Sequence, residues 1–165
     1  MIFRGLVDAR LAKLGIELPK PAPAWANYDP YVVSGHLVYV SGQLSQLGTV
    51  KYVGKLGAEL SIEDGYKAAR ICGLNLLSQL KAACGGDLDR VARCLELGGF
   101  VNSAPDFYDQ PKVLNGASDL LVEVLGSAGR HTRFAVGAAA LPLNFAVEVK
   151  GVFELSPPPE TSVGP

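Results

Sequence analysis

Two charged residues stand in stretches that otherwise read as buried strands. Arg133 opens the apolar run Phe134 to Leu141, and Glu148 sits in the middle of Phe145–Leu155. A charge inside such a strand is costly unless it is paired or faces a wet pocket. Arg133 brings a planar fork of donors that matches a carboxylate and stays charged at any relevant pH. Glu148 brings a carboxylate able to position or activate a water. A cross-strand ion pair between the two, or a solvent-facing side chain on each, also accounts for the pattern without any chemistry.

Other catalytic patterns are missing from the sequence. Gly85-Gly86 and Gly98-Gly99 lack the Lys-Ser/Thr of a phosphate loop, and neither Ser34-Gly35-His36 nor Ser41-Gly42-Gln43 is a hydrolase signature. The two histidines, His36 in an expected turn and His131 beside an expected strand, read as surface residues rather than metal ligands. Cys72, Cys84 and Cys94 have no metal-ligand spacing, and their odd number cannot pair fully within one chain. They read as free, mostly buried thiols, which suits a reducing cytoplasm. The acid pairs Glu63/Asp64 and Asp87/Asp89 fall at a helix start and a turn, where acids are ordinarily found.

The elements that must position these residues follow from periodicity. An amphipathic helix is expected within Met1 to Gly15, with Val7, Leu11 and Leu14 on one face, ahead of the proline-rich connector Pro19 to Pro23. Tyr31–Val33 and Leu37–Ser41 read as a hairpin around Ser34-Gly35-His36. The stretch from Gln43 to Leu60 supports only a short strand near Val50–Val53. Ser61-Ile62-Glu63-Asp64 has the shape of a capping box, and the apolar spacing from Ile62 to Ala83 predicts a long helix ended by Gly85-Gly86. A strand follows within Val91–Val101, then a helix with Pro111 in its first turn running to about Leu125. Strands at Thr132–Leu141 and Phe145–Leu155, joined by Pro142-Leu143-Asn144, complete the domain. This order predicts an α+β fold whose helices gather on one face of the sheet. Apolar strand positions on the other face call for a second subunit to cover them.

Three segments result: an N-terminal helix extension over 1–18, one domain over 19–155, and a disordered proline-rich tail over 156–165. The chain has 165 residues, enough for one core, and is 48% hydrophobic and 19% charged, a globular balance. Its formal net charge of −1 and its lack of Lys/Arg runs give no nucleic-acid footprint. No apolar stretch reaches membrane-spanning length, and Asp8 interrupts what would have to be the apolar core of a signal peptide.

The run Thr132-Arg133-Phe134-Ala135-Val136-Gly137-Ala138-Ala139-Ala140-Leu141-Pro142, followed by Val147-Glu148-Val149, resembles the C-terminal signature of the YjgF/RidA family of imine deaminases, also called L-PSP endoribonuclease-like proteins. Val38-Tyr39-Val40-Ser41-Gly42-Gln43 resembles that family's early motif, and Tyr28 and Asn115 stand where it has an active-site tyrosine and a nearby asparagine. The likeness runs from about Asn27 to Leu155, with the N-terminal helix suggesting a divergent bacterial branch. It implies a chorismate-mutase-like fold, a cytoplasmic homotrimer with clefts between subunits, and no cofactor or metal. The implied reaction is hydrolysis of a 2-imino acid or its enamine to a 2-keto acid and ammonia. Arg133 would hold the carboxylate of a small metabolite and Glu148 the water, while Tyr28, Gly42, Asn115 and the backbone of Ala135 would contact the substrate. Ala135 replaces a cysteine found in many such deaminases, and His131-Thr132 replaces their proline-alanine, which leaves the choice of substrate open. Three alternatives stand beside this reading: a non-catalytic trimer that binds a small carboxylate, an RNA-cleaving protein, and a purely structural trimer.

Overall fold

The computed structural model describes residues 5–157. Helix α1 (Leu6–Lys13) buries Val7 and Leu11, while Leu14 lies beyond the helix and is 43% exposed rather than part of the apolar face. The acid that secures α1 comes from far along the chain. Both carboxylate oxygens of Asp89 accept the amides of Leu6 and Val7, at 2.8 and 2.9 Å. Asp89 thus serves as a helix N-cap across more than eighty residues, satisfying donors that a helix start leaves unpaired. Asp8 pairs with Lys81 at 2.9 Å, so α1 is held against its own chain.

The hairpin forms as expected from β1 (Tyr31–Ser34) and β2 (Leu37–Leu44), and β3 (Gln46–Leu47) pairs with β4 (Val50–Lys51) in a small separate ribbon. Helix α2 (Ile62–Ala83) starts with the full capping box: Ser61 Oγ accepts the Asp64 amide, and the Asp64 carboxylate accepts the Ser61 amide. Strand β5 (Val91–Asn102) and helix α3 (Gln110–Leu125), with Pro111 in its first turn, follow. Strands β6 (Thr132–Ala138) and β7 (Val147–Leu155) end the described fold, β6 stopping three residues short of the expected Leu141. Most of the expected proline-rich tail, residues 158–165, lies outside the described residues.

The main sheet has the order β1-β2-β7-β5-β6. This corrects the simplest expectation for β6 and β7, because β5 lies between them. β5 and β6 are parallel, and α3 supplies the crossover that a parallel pair requires. β7 then runs antiparallel to both β5 and β2. The connection from β6 to β7 crosses the end of β5, pinned there by the buried Asn102. The Asn102 amide donates to Ala146 O at 2.9 Å, its Nδ2 donates to Asn144 Oδ1 at 3.0 Å, and its Oδ1 accepts from Lys55 Nζ at 2.7 Å.

The core lies between one sheet face and the pair α2/α3. Val38, Val40, Leu97, Val101, Val147, Val149 and Phe153 meet Ala68, Ala69, Cys72, Leu76, Leu114, Ala117 and Leu121 there, all at 2% exposure or less. The three thiols are free and buried, and burial pushes Cys84 up to about 11 and Cys94 to about 12. The two helices touch closely at glycines. A Cβ on Gly116 would lie 2.0 Å from the Tyr66 carbonyl oxygen, whereas one on Gly73 would lie 2.9 Å from a Leu120 methyl. A backbone carbonyl cannot step aside as a leucine methyl can. Gly116→Ala is therefore expected to destabilise the fold by about 2–3 kcal/mol, and Gly73→Ala by clearly less. Urea unfolding of both variants checks this, and equal losses would contradict the helix contact.

Candidate active site

The early motif works as a local machine at the open end of β2. The Ser41 amide donates to Pro30 O at 2.9 Å and its hydroxyl donates to Asp29 O at 2.7 Å, tying the segment that carries Tyr28 to the strand. Tyr28 is held at the surface, 50% exposed. A register irregularity between Val40 and Gln43 bends β2 at Gly42, opposite β7. There the Glu148 carboxylate packs against the glycine so closely that a Cβ would lie 2.0 Å from its Oε1. Gly42 is required for space, not for an unusual φ.

Glu148 alternates along β7 with the buried Val147 and Val149, so it projects from the face away from the helices. It is half-buried and has no hydrogen-bond or ion-pair partner among the described residues. Desolvation pushes its carboxyl above the usual range. Gly42 and Glu148 thus form one half-site, with Tyr28 on the segment tied to the neighbouring Ser41.

Arg133 forms another. It lies beside Leu97 of β5 in the parallel register, on the helix-covered face, and reaches along α3. Its Nη1 donates to Asn115 Oδ1 at 2.9 Å and to Ser118 Oγ at 3.1 Å, and Nη2 donates to Pro111 O at 3.4 Å. Both Nη1 hydrogens are then occupied. Nε donates to no described residue and Nη2 makes one bond of its two, which leaves donors for an external carboxylate. Ala135 is partly buried against the core, two residues along the same face of β6.

The expected site residues therefore come together in two groups and not in one. Arg133 and Glu148 are two strands and three residues apart, roughly 14 Å by strand spacing, and they project from opposite faces. The cross-strand ion pair that the sequence allowed does not form.

Two further residues join the Arg133 group. Ser118 stands one turn after Asn115 and contacts His131, with Oγ 3.0 Å from Nε2, and His131 Nδ1 lies 2.6 Å from Gly129 O. His131 is not the surface residue expected. Burial is the main influence that lowers its pKa, with the Arg133 charge adding to it against the opposing Gly129 bond. The carbonyl at Nδ1 then favours the tautomer whose Nε2 accepts the serine proton. The three-residue spacing of Asn115 and Ser118 was the available signal for Ser118; nothing in sequence pattern joined His131 to it.

A groove of about 330 Å³ borders Gly42 and Tyr28, lined also by Gln43, Asn75, Gln79 and the connector from Pro19 to Trp25. Among the described residues, no group of three or more His, Cys, Asp or Glu side chains is placed to hold a metal, and no helix is long and apolar enough to cross a membrane.

The Glu148 carboxylate gains solvation when the fold opens, and the sign of its pH linkage follows. Because its folded pKa is raised, its contribution to stability is fully present below the unfolded carboxylate range and is lost as pH rises through the folded value. Glu148→Gln is thus expected to be more stable than the parent at pH 7, with the gap closing near pH 4. Urea midpoints at the two pH values test this, and a gap that stays constant would contradict it.

Comparison with known proteins places this architecture. A family described as "YjgF/chorismate mutase-like, putative endoribonuclease" matches residues 8–155. Protein TCP17 of Trypanosoma cruzi is 48% identical over 159 residues, covering 94% of this chain and 98% of that protein. Among crystal structures, Atu1372 of Agrobacterium tumefaciens, of unknown function, is 44% identical with a TM-score of 0.85, covering 91% of this chain and 92% of its own. A "putative endoribonuclease" from Shewanella oneidensis is 41% identical with a TM-score of 0.87, covering 92% and 100%. With its mixed sheet, its two helices on one face and both signature segments in place, the chain belongs to the YjgF/RidA family.

Proposed function

We propose that this protein hydrolyses reactive 2-imino acids to 2-keto acids and ammonia, in clefts where the Arg133 group of one subunit meets the Glu148 group of the next. The observation that carries this reading is the pair of incomplete half-sites. A guanidinium with donors to spare and a half-buried carboxylate with no partner among the described residues lie too far apart to satisfy one another. A second copy of the chain is the simplest body that brings both to one substrate. The uncovered sheet face supports the assembly, since Val32, Tyr39 and Val136 are each more than 40% exposed there, beside the edge-to-face pair Phe100 and Phe134. A closed homotrimer, as the family signature implies, would cover that face in all three copies.

The chemistry asks little of such a cleft. Arg133 takes the carboxylate through its Nε/Nη2 edge and is itself braced by Asn115 and Ser118. That clamp fixes the adjacent C=N carbon, and the water held by Glu148 adds to it. The water proton passes to Glu148, whose raised pKa makes it a better base than an exposed carboxylate. Addition to the protonated imine forms one C–O bond and gives a carbinolamine with a neutral amine. Glu148 returns the water proton to that nitrogen, the C–N bond breaks as ammonia leaves, and the carbonyl forms as the hydroxyl proton passes through Glu148 to solvent. No electrons are exchanged with an outside reagent. Positioning and a carboxylate that relays these protons account for the whole step.

The test is an imine-diversion assay. An amino acid oxidase generates 2-imino acids, semicarbazide traps them, and the protein competes with the trap. The parent chain is expected to divert the imine, whereas Arg133→Ala and Glu148→Gln lose at least about a hundredfold in rate. Saturable carboxylate binding that depends on Arg133 but gives no turnover would replace the enzyme reading with a binding one. Cleavage of RNA without imine turnover would support the activity named in the family description.

A further inference from the structure

A chain of hydrogen bonds leads away from Arg133 and runs in one direction. Arg133 Nη1 donates to Ser118 Oγ at 3.1 Å, Ser118 Oγ lies 3.0 Å from His131 Nε2, and His131 Nδ1 lies 2.6 Å from Gly129 O. Both ends are fixed in kind, because a guanidinium can only donate and a peptide carbonyl can only accept. Every bond between them is made when the imidazole is neutral, with its proton on Nδ1 and the Ser118 hydroxyl donating to Nε2. A second ring proton would put two donors on Ser118 Oγ and leave the serine proton without its acceptor. Burial, aided by the Arg133 charge, lowers the His131 pKa and so favours the neutral ring.

The far end of the chain is also fixed in place. Gly129 is buried, and a Cβ there would stand 2.2 Å from Leu121 O of α3. Its carbonyl is therefore held by packing against the helix backbone, and it in turn holds His131 and Ser118. The other two acceptors of Arg133 lack such an anchor. Asn115 is exposed and its side chain makes no second bond among the described residues, and the Nη2 bond to Pro111 O is long at 3.4 Å. Ser118 is thus the braced acceptor of the guanidinium. His131 directly precedes β6, so the chain also ties the Arg133 side chain back to the start of its own strand.

A serine donating to a neutral imidazole is also the arrangement of a nucleophile and its base. Here the same oxygen accepts from Arg133, which draws electron density away from it. The chain fits a brace better than a nucleophile.

We infer that His131 is a positioning residue, which acts through Ser118 to hold the Arg133 guanidinium in the orientation that receives the substrate carboxylate. The inference rests on the imine-hydrolase reading of Arg133, and a binding measurement beside the rate measurement tells their failures apart. Both kcat and KM come from the imine-diversion assay, and calorimetry gives the Kd of pyruvate, the simplest 2-keto acid product. His131→Leu is expected to raise KM and the pyruvate Kd at least about fivefold while kcat stays within about twofold. His131→Gln, whose amide oxygen can accept the Ser118 proton, should recover most of that loss. Ser118→Ala should show the same defect, and adding His131→Leu to it should bring no further loss, because the imidazole acts only through the hydroxyl. Thr132→Val is the control: it breaks the 2.7 Å bond to Leu95 O beside His131 without touching the chain, and KM should keep its parent value. Should His131→Leu not fold, Ser118→Ala set against His131→Gln carries the same test. Parent-like KM and Kd in His131→Leu, equal defects in His131→Leu and His131→Gln, or additive losses in the double variant overturn the brace and leave the hydrolase reading intact. A Ser118→Ala that loses kcat at unchanged KM overturns it too, in favour of a serine nucleophile. Pyruvate binding that depends on His131 without imine turnover supports the brace and removes the hydrolase reading. A parent that neither turns over imines nor binds pyruvate removes both.

Discussion

The position of β5 between β6 and β7 is the constraint on which the rest of the structure depends. β7 inserts between β2 and β5, on the far side of β5 from β6, and so the two signature charges stand apart. Strand alternation then sends Arg133 to the helix face and Glu148 to the open one. Each charge is provided for locally. α3 offers Asn115 and Ser118 to the guanidinium, and the kink at Gly42 makes room for the carboxylate. A lone chain therefore carries two prepared but incomplete half-sites, and on the proposed reading assembly is part of the chemistry rather than an addition to it.

The same economy appears in the packing. Gly116 lets α3 approach the backbone of α2, which brings the Asn115–Ser118 face to the edge of β6 where Arg133 emerges. Asn102, Asn144 and Lys55 hold the crossing over the end of β5, so the spacing between the Arg133 strand and the Glu148 strand is fixed at its turn. On the opposite side, Ser78 and Gln79 of α2 hold the connector at Pro19 and Ala22. That connector forms one wall of the groove that borders Gly42 and Tyr28.

Features set by short-range rules were legible in the sequence. The Ser61–Asp64 capping box, Pro111 at the start of α3, the hairpin at Ser34–His36 and the glycines after α2 each follow from the chemistry of a few adjacent residues. The candidate residues were also legible as types, because a charge in an apolar strand stands out. What stayed hidden was long-range pairing. Periodicity does not tell which strands are neighbours, so Arg133 and Glu148 looked like partners across a hairpin. Nor does it show that Asp89 caps a helix more than eighty residues before it, that His131 is bonded to Ser118, or that Gln79 holds the connector at Ala22. Each depends on a contact between residues that no local pattern links.

Whether one working site takes Arg133 from one subunit and Glu148 from another is tested most directly by subunit complementation. Arg133→Ala and Glu148→Gln chains are co-expressed, the mixed oligomers are purified, and imine hydrolysis is measured. If sites lie between subunits, random mixing in a cyclic trimer leaves about a quarter of the interfaces with both native residues, so activity should return to about a quarter of the parent value although each variant alone is inactive. If the mixture remains as inactive as its components while assembling normally, both residues serve a site within one chain, and a catalytic cleft shared between subunits is contradicted.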